Sequence, residues 1–321
     1  MVPFVDLVRA MTVGPLTTES PDGVVAWWQL HRARQAAYDA PFDRALMGGL
    51  WADRVGYAFA AGYREALAVL VPGVASSGLA VLAATEEQGA RPSAVRSTLT
   101  RGADGQLRLN GHKRWATLAT IVDVLLVVAS EGVDERGRNR LRLCRIDRAR
   151  AGVEVRPMPA PPFAPEIPHA EIAFHDVLVD PSDVLPGDGW DAYVKPFRTV
   201  EDLYVHTALL GYLAGFTRRS SFPDDLLEEI LVTVAALREL SKEPPSAAET
   251  HVALAGALSG AKRIIGRVEE LLATTTAPAG NEAERERWVR DRPLFGVAGS
   301  ARAQRREVAW QRLRAPSDAS R

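Results

Sequence analysis

The chain is read outward from two runs: Leu79-Ala-Val-Leu-Ala-Ala-Thr85-Glu86-Glu87 and, further on, Leu107-Arg-Leu-Asn110-Gly111-His-Lys113-Arg-Trp115-Ala-Thr117. An apolar run closes on Thr-Glu and a Gly-containing turn follows. Apolar residues then alternate with polar ones, the pattern of a half-buried strand. Asn110-Gly111 predicts a two-residue hairpin turn, because both residues tolerate the positive φ that such turns need. Trp115 and Thr117 then fall on the returning strand.

From Leu79 to about Leu185 the apolar period stays at two. Leu107/Leu109, Val124/Leu126/Val128, Leu141/Leu143, Val153/Val155 and Ile172/Phe174 each alternate with polar or outward positions. Glu131 to Asn139 reads as a charged loop, and Pro157 to Pro168 holds six prolines, which excludes a central strand there. Several short strands without intervening helices predict an antiparallel barrel or sandwich. On either side the period lengthens to that of helices. Val24–Tyr38 and Ala45–Leu70, the latter stopped by Pro72-Gly73, precede the strands. Tyr193–Phe216, Asp224–Leu240, Ala247–Leu272 and Ala283–Arg314 follow them, the last broken near Pro293 and Gly296, with a loop over Thr274–Asn281. The expected fold class is α+β multidomain: a helical N-terminal domain over 1–75, an antiparallel β-barrel over 76–188 and a C-terminal helical bundle over 189–321.

The 321 residues are 47% hydrophobic and 25% charged, ordinary values for a globular protein with a large core. A formal net charge of -1 gives no global attraction to nucleic acid or to an anionic membrane. The single cysteine, Cys144, lies in the alternating run Arg140–Ile146 and reads as a buried strand thiol; it excludes an intrachain disulfide. Ala66–Ala84 is uncharged, but Pro72, Gly73 and Gly78 divide it into helix, turn and strand rather than a membrane span. No secretory signal opens the chain, and a reduced, cytoplasmic protein is expected. His169, Glu171 and His175 share a strand face but are read as strand residues, not metal ligands, and His206 and His251 as packed or solvated helix histidines. No Ser-His-Asp order, phosphate loop or basic-aromatic stripe stands out.

The Thr85-Glu86 pair and the Trp115-Ala-Thr117 segment resemble the middle domain of the acyl-CoA dehydrogenase family, where two such strands form the wall against which the flavin lies. Glu171-Ile-Ala-Phe-His-Asp-Val-Leu-Val-Asp-Pro, running on to Gly189-Trp190, is similar to that domain's exit strand, Phe-x-Asp-Val-x-Val-Pro. The resemblance implies FAD-dependent α,β-dehydrogenation of an acyl-CoA or other acyl thioester. A carboxylate removes the α-proton, hydrogen bonds hold the carbonyl, and the flavin takes the β-hydride. It places Thr85, Glu86, Trp115 and Thr117 at the flavin ring. Arg219-Ser-Ser-Phe222 is similar to an Arg-x-x-Phe that reaches a neighbouring subunit's flavin diphosphate. Arg91 stands in a turn where relatives carry Gly-Ser-Asp, and there it would face a phosphate or the CoA chain. Glu201, in Phe197-Arg-Thr-Val-Glu201, matches the base of a minority of relatives, with Asp202 a competing carboxylate next to it.

The chain also departs from the pattern. Asp291 to Ala301 lacks the late Glu of most relatives, the adenine-binding Gly motif is missing, and the N-terminal helical domain is shortened. The implied partners are an acyl thioester substrate, an electron-transfer partner and further copies of the chain in a homodimer or homotetramer, in fatty acid metabolism. Neither nucleic acid nor membrane is expected. The alternative is a degenerate scaffold without redox activity, acting as a binding or partner subunit.

Overall fold

A computed structural model describes residues 1–16, 19–74, 78–275 and 282–315. Its contacts group the chain into two compact units, one helical (Met1–Ala66, Pro162–Ala164, Thr199–Arg321) and one built on a sheet (Leu67–Pro161, Pro165–Arg198).

The sheet unit contains β1 (Ala80–Ala83), β2 (Thr98–Arg101), β3 (Leu107–Thr117), β4 (Val124–Val133), β5 (Asn139–Asp147), β6 (Val153–Pro157) and β7 (His169–Val179). They form a single sheet in the order β1-β4-β2-β3-β7-β6, with β5 on the other edge of β4. The expected closed antiparallel barrel is not what forms. β1 pairs with β4 in parallel from Ala80↔Val124 to Ala83↔Val127, and β2 meets β4 in parallel at Thr98↔Ser130. The curled sheet stays open, because no pairing joins β5 to β6 among the described residues. β6 ends on Pro157, which has no N–H to donate, and the proline-rich connector behind it cannot extend an edge.

Two local readings also change. β4 does not alternate: Leu125, Leu126 and Val127 are all fully buried, so this strand is covered on both faces. Asn110-Gly111 lies within β3 and makes no hairpin turn; the bulge beside it is in β7, where His175 and Asp176 stand opposite Asn110 alone. The register against β7 shifts between Leu109 and Gly111, and Gly111 takes φ +137. A Cβ at Gly111 would lie 2.5 Å from Ser97 Oγ and 2.6 Å from Ser97 Cα, so only glycine lets that neighbouring segment approach. Asn110 Nδ2 donates to Asp176 Oδ1 at 2.8 Å and Asn110 Oδ1 accepts from the Asp176 amide at 2.8 Å, which steadies Asp176 at φ 48. The turn joining β2 and β3 lies earlier, where the Gly102 amide bonds the Gln106 carbonyl at 2.9 Å. Cys144 is buried in β5 as expected, and burial pushes its thiol up to about 12.

The helical unit draws on both ends of the chain. Its helices are α1 (Phe4–Thr12), α2 (Gly23–Gln35), α3 (Pro41–Leu50), α4 (Val55–Leu70), α5 (Lys195–Arg219), α6 (Asp224–Leu240), α7 (Ala248–Thr274), α8 (Glu282–Asp291) and α9 (Gly299–Arg314), α4 and α5 running a few residues beyond its limits. The helix expected over Ala45–Leu70 is therefore two. The expected break near Pro293 is a 3₁₀ turn over Arg292–Gly296. Thr274 closes α7 rather than opening a loop, and residues 276–281 of that expected loop lie outside the described residues.

Glycines set the packing against α5, which is buried from Asp202 to Thr217. A Cβ at Gly62 of α4 would stand 2.5 Å from Val205 Cα, and one at Gly49 of α3 would overlap the Ala208 carbonyl oxygen. Backbone therefore lies on backbone at both crossings. α8 is anchored by Trp288, whose ring stacks on Phe216 at 5.4 Å, while Phe216 stacks on Tyr212 at 5.8 Å.

Candidate functional site

The Thr-Glu corner is fixed by charge. Glu86 Oε1 accepts from Lys113 Nζ at 2.6 Å, the Ser97 amide at 3.0 Å and Ser97 Oγ at 2.9 Å; Oε2 accepts from the Arg96 amide at 2.7 Å. Burial works to raise the Glu86 pKa, but the Lys113 charge and these hydrogen bonds outweigh it and hold the carboxyl below its usual range. The Glu86 amide itself donates to the Gly89 carbonyl at 3.1 Å. The side chain of Glu86 is thus fully engaged within the protein, and its role in the geometry is to hold the turn against β3. Lys113 was missed as a partner. Its signal was present, since Leu107, Leu109, Gly111 and Lys113 share the inward parity of a strand.

The same corner brings Thr85 beside Trp115. The Arg114 amide donates to the Thr85 carbonyl at 3.0 Å. A second bulge, between Lys113 and Ala116, sets Arg114 and Trp115 opposite the single residue Glu171 of β7 and turns the indole outward. Trp115 takes φ 59 and is 57% exposed, an uncommon conformation and exposure for so large a side chain. The Arg114 guanidinium lies 5.4 Å over its ring and pairs with Glu171 at 2.9 Å. Thr117, half-buried, follows two residues on, opposite His169 of β7. Thr85, Trp115 and Thr117 are therefore gathered on one part of the sheet. A cleft of about 500 Å³ opens at the Glu86 corner, lined by Glu87, Gln88, Arg96, His112, Arg114 and Glu171; Thr85, Trp115 and Thr117 are not in its lining. Arg91 is exposed, in the turn that leads to Arg96.

Glu201 and Arg219 belong to the helical unit, both on α5. Glu201 is half-buried near the start of the helix. The neighbouring Asp202 is buried and engaged: its Oδ1 accepts from Arg302 Nη1 at 3.0 Å and its Oδ2 from Arg305. Both arginines come from α9, a partnership that no local spacing around Asp202 announces. One turn on, His206 Nδ1 meets the Asp202 carbonyl at 2.7 Å, and burial lowers its pKa. Arg219 forms a two-pronged pair with Glu284 of α8, its Nη2 at 2.6 Å from Oε1 and its Nε at 3.1 Å from both oxygens.

Residues 81–177 match the family model described as acyl-CoA dehydrogenase, middle domain. Butyryl-CoA dehydrogenase from Megasphaera elsdenii aligns with a TM-score of 0.63 and 15% identity, covering 84% of this chain and 81% of that one. The fold is acyl-CoA dehydrogenase-like. Two further solved structures place this acyl-CoA dehydrogenase-like fold among varied proteins. FMN-bound TdsC from Paenibacillus sp. A11-2 aligns with a TM-score of 0.69 and 18% identity over 85% of this chain and 84% of that one. FkbI, described as serving biosynthesis of a methoxymalonyl extender unit of a polyketide, aligns at 0.64 and 20% identity over 98% and 93%. At these identities the likeness is one of fold. No curated protein sequence matches the chain at a significant level.

Proposed function

We propose that this acyl-CoA dehydrogenase-like protein is a flavin-dependent oxidoreductase that removes hydrogens from the α and β carbons of an acyl thioester, with Glu201 as the base. The observation that carries the reading is Trp115, a large aromatic held outward at φ 59 with Thr85 and Thr117 close by. An exposed indole in a costly backbone conformation makes sense where it packs against a planar ligand. These residues fit the ring half of a flavin: the indole supplies a packing surface and the two threonines supply hydroxyl groups. Arg219 does not fit the diphosphate half, because Glu284 holds its guanidinium. The resemblance implies FAD, and TdsC is named as FMN-bound; the class proposed here is a flavin.

A flavin supplies the hydride acceptor when bound. The chain's own part is to take a proton and to hold the reacting groups. Glu201, which the resemblance matches to the base, is the carboxylate proposed to take the α-proton, while its neighbour Asp202 accepts from two arginines. An acyl-CoA is the substrate class implied, with an electron-transfer partner to reoxidise the cofactor and a homodimer or homotetramer as the working form. The second reading, a scaffold without redox activity, draws support from the engagement of Arg219 by Glu284.

The absorbance spectrum of the purified protein, alone and after addition of FAD or FMN, decides between them. Flavin bands that remain with the protein through desalting are expected, together with quenching of Trp115 fluorescence that Trp115→Ala abolishes. If neither flavin is retained, the oxidoreductase reading falls. With flavin bound, Glu201→Gln should lower kcat by about 10² or more without releasing the cofactor.

A further inference from the structure

His169 opens β7, and the register seats it directly opposite Thr117 of β3. Side chains opposite one another in an antiparallel pair leave the sheet on the same face, with Cβ atoms about 5 Å apart. The next pair along, Ala116 and Ala170, is buried, whereas Thr117 and His169 are half-buried on the outward side. The imidazole therefore stands on the wall that carries Trp115 and Thr117. Its backbone is fixed from two sides: the Met158 amide donates to the His169 carbonyl at 2.9 Å, and the Leu118 amide to the Pro168 carbonyl at 2.7 Å.

The other polar residues of this strand face are engaged elsewhere. Glu171 is paired with Arg114 at 2.9 Å, and the exposed His175 approaches Glu154 at 3.8 Å. Among the described residues no three His, Cys, Asp or Glu side chains are placed to hold a metal ion. One ring nitrogen of His169 meets the Ile167 carbonyl, and burial lowers its pKa below 6.5, so the imidazole is neutral at pH 7. Glu166 on the connector, Glu171 on β7, Arg114 on β3 and Arg156 on β6 are the charged residues of the adjoining segments, and none is a cause of that shift. A neutral imidazole that donates through one nitrogen accepts through the other.

The oxidised isoalloxazine ring carries several acceptors but a single N–H, that of its imide. A half-buried nitrogen that can only accept, set beside a hydroxyl group and an indole, matches that N–H. We propose that His169 completes the flavin wall, its second ring nitrogen accepting a hydrogen bond from the imide N–H of the isoalloxazine ring. This rests on the flavin reading and deepens it, because it turns the imide edge of the ring toward β7. Protonation makes the imidazole a donor at both nitrogens and sets it against that N–H. The protein should therefore hold oxidised flavin best above the pKa of His169 and less well as pH falls through it.

The test titrates FMN and FAD, each with its N3-methyl derivative, into the full chain stripped of flavin. Binding is read from flavin fluorescence between pH 8 and pH 5.5, so that the result does not depend on turnover. The parent should bind the unmodified flavin about tenfold more tightly than the methylated one, and lose affinity as pH falls below 6.5. His169→Phe should weaken the unmodified flavin about tenfold, bind the two forms alike and show no such loss with pH. His169→Gln keeps an acceptor that does not titrate. It should match the parent at pH 8 and lose the pH dependence, and it decides the question if the Phe variant fails to fold. A His169→Phe protein that still rejects the methylated flavin, or a His169→Gln protein with the parent's pH dependence, overturns the proposal and leaves the flavin reading standing. If the parent binds neither FMN nor FAD, both fall together.

Discussion

The ammonium of Lys113 lies 2.6 Å from Oε1 of Glu86, with both side chains withdrawn from solvent. This one contact ties the Thr85-Glu86 corner to the strand that carries Trp115 and Thr117. Its oxygens also cap the Arg96 and Ser97 amides, so the turn, β2 and β3 share a single carboxylate.

Breaking the pair from one side should therefore be severe. Glu86→Gln leaves an ammonium buried without a counter-charge, and Lys113→Met leaves a carboxylate; each is expected to cost about 3–5 kcal/mol in urea unfolding. The double variant should recover much of that loss, because the penalty comes from an uncompensated charge. Acid should act as the single variants do. The folded pKa of Glu86 is held below its unfolded value, so its contribution is complete above the ordinary carboxylate pKa of 4.5 and disappears as pH falls through the folded value. A double variant as unstable as Glu86→Gln alone would show that the hydrogen bonds to Ser97 and Arg96, not the ion pair, hold the corner.

His31 sets a separate and earlier acid limit. Its ring stacks on Trp27 at 5.0 Å, Trp27 stacks on Tyr57 at 5.3 Å, and Nε2 is buried without a hydrogen-bond partner. Burial first, then the charges of Arg64, Arg44 and Arg34, push its pKa down to about 3 from 6.5. Between these values the unfolded chain takes a proton that the native imidazole refuses. Stability is therefore full above pH 6.5 and falls as pH drops toward 3, by about 2 kcal/mol at pH 5. His31→Phe keeps the aromatic stack and removes the titrating group. Its urea midpoint should change far less between pH 7.5 and pH 5 than that of the parent; equal slopes would mean another group is responsible.

Sequence reading succeeded where local chemistry decides. Pro72-Gly73 ends α4 and Pro293 breaks the last helical region because each acts on its own backbone. Trp115 and Thr117 do lie on a strand, though on the same one as Leu107 and Leu109 and not on a returning one, and Cys144 is buried with Ile146 on the face opposite Leu141 and Leu143. It failed where a distant partner decides. Asn110-Gly111 has the composition of a hairpin turn, but the positive φ of Gly111 serves the close approach of Ser97 inside a continuous strand, which is invisible locally. The parallel pairing of β1 with β4 joins segments some forty residues apart, and no alternation pattern records it. Arg219 sits in a suggestive Arg-x-x-Phe, yet its geometry is set by Glu284 on another helix.

Two glycines should respond in opposite ways to the same substitution. Alanine is the better helix former, by about 1 kcal/mol at an interior helical position. At Gly256, on the exposed side of α7, an added Cβ meets nothing within 4 Å, so Gly256→Ala should stabilise by about 0.5–1 kcal/mol. At Gly49 the added Cβ would overlap the carbonyl of Ala208 on α5, and at the same crossing a Cβ on Gly211 would overlap the Leu46 carbonyl. Those oxygens belong to helical backbone and cannot rotate away as a flexible side chain would. α3 and α5 must separate instead, opening the packing around a helix buried through most of its length. Gly49→Ala is therefore expected to lose about 2 kcal/mol or more despite its better helix propensity. Thermal unfolding of the two variants side by side checks the argument: a Gly49→Ala protein as stable as the parent would mean that the backbone contact of α3 with α5 is looser than this packing requires.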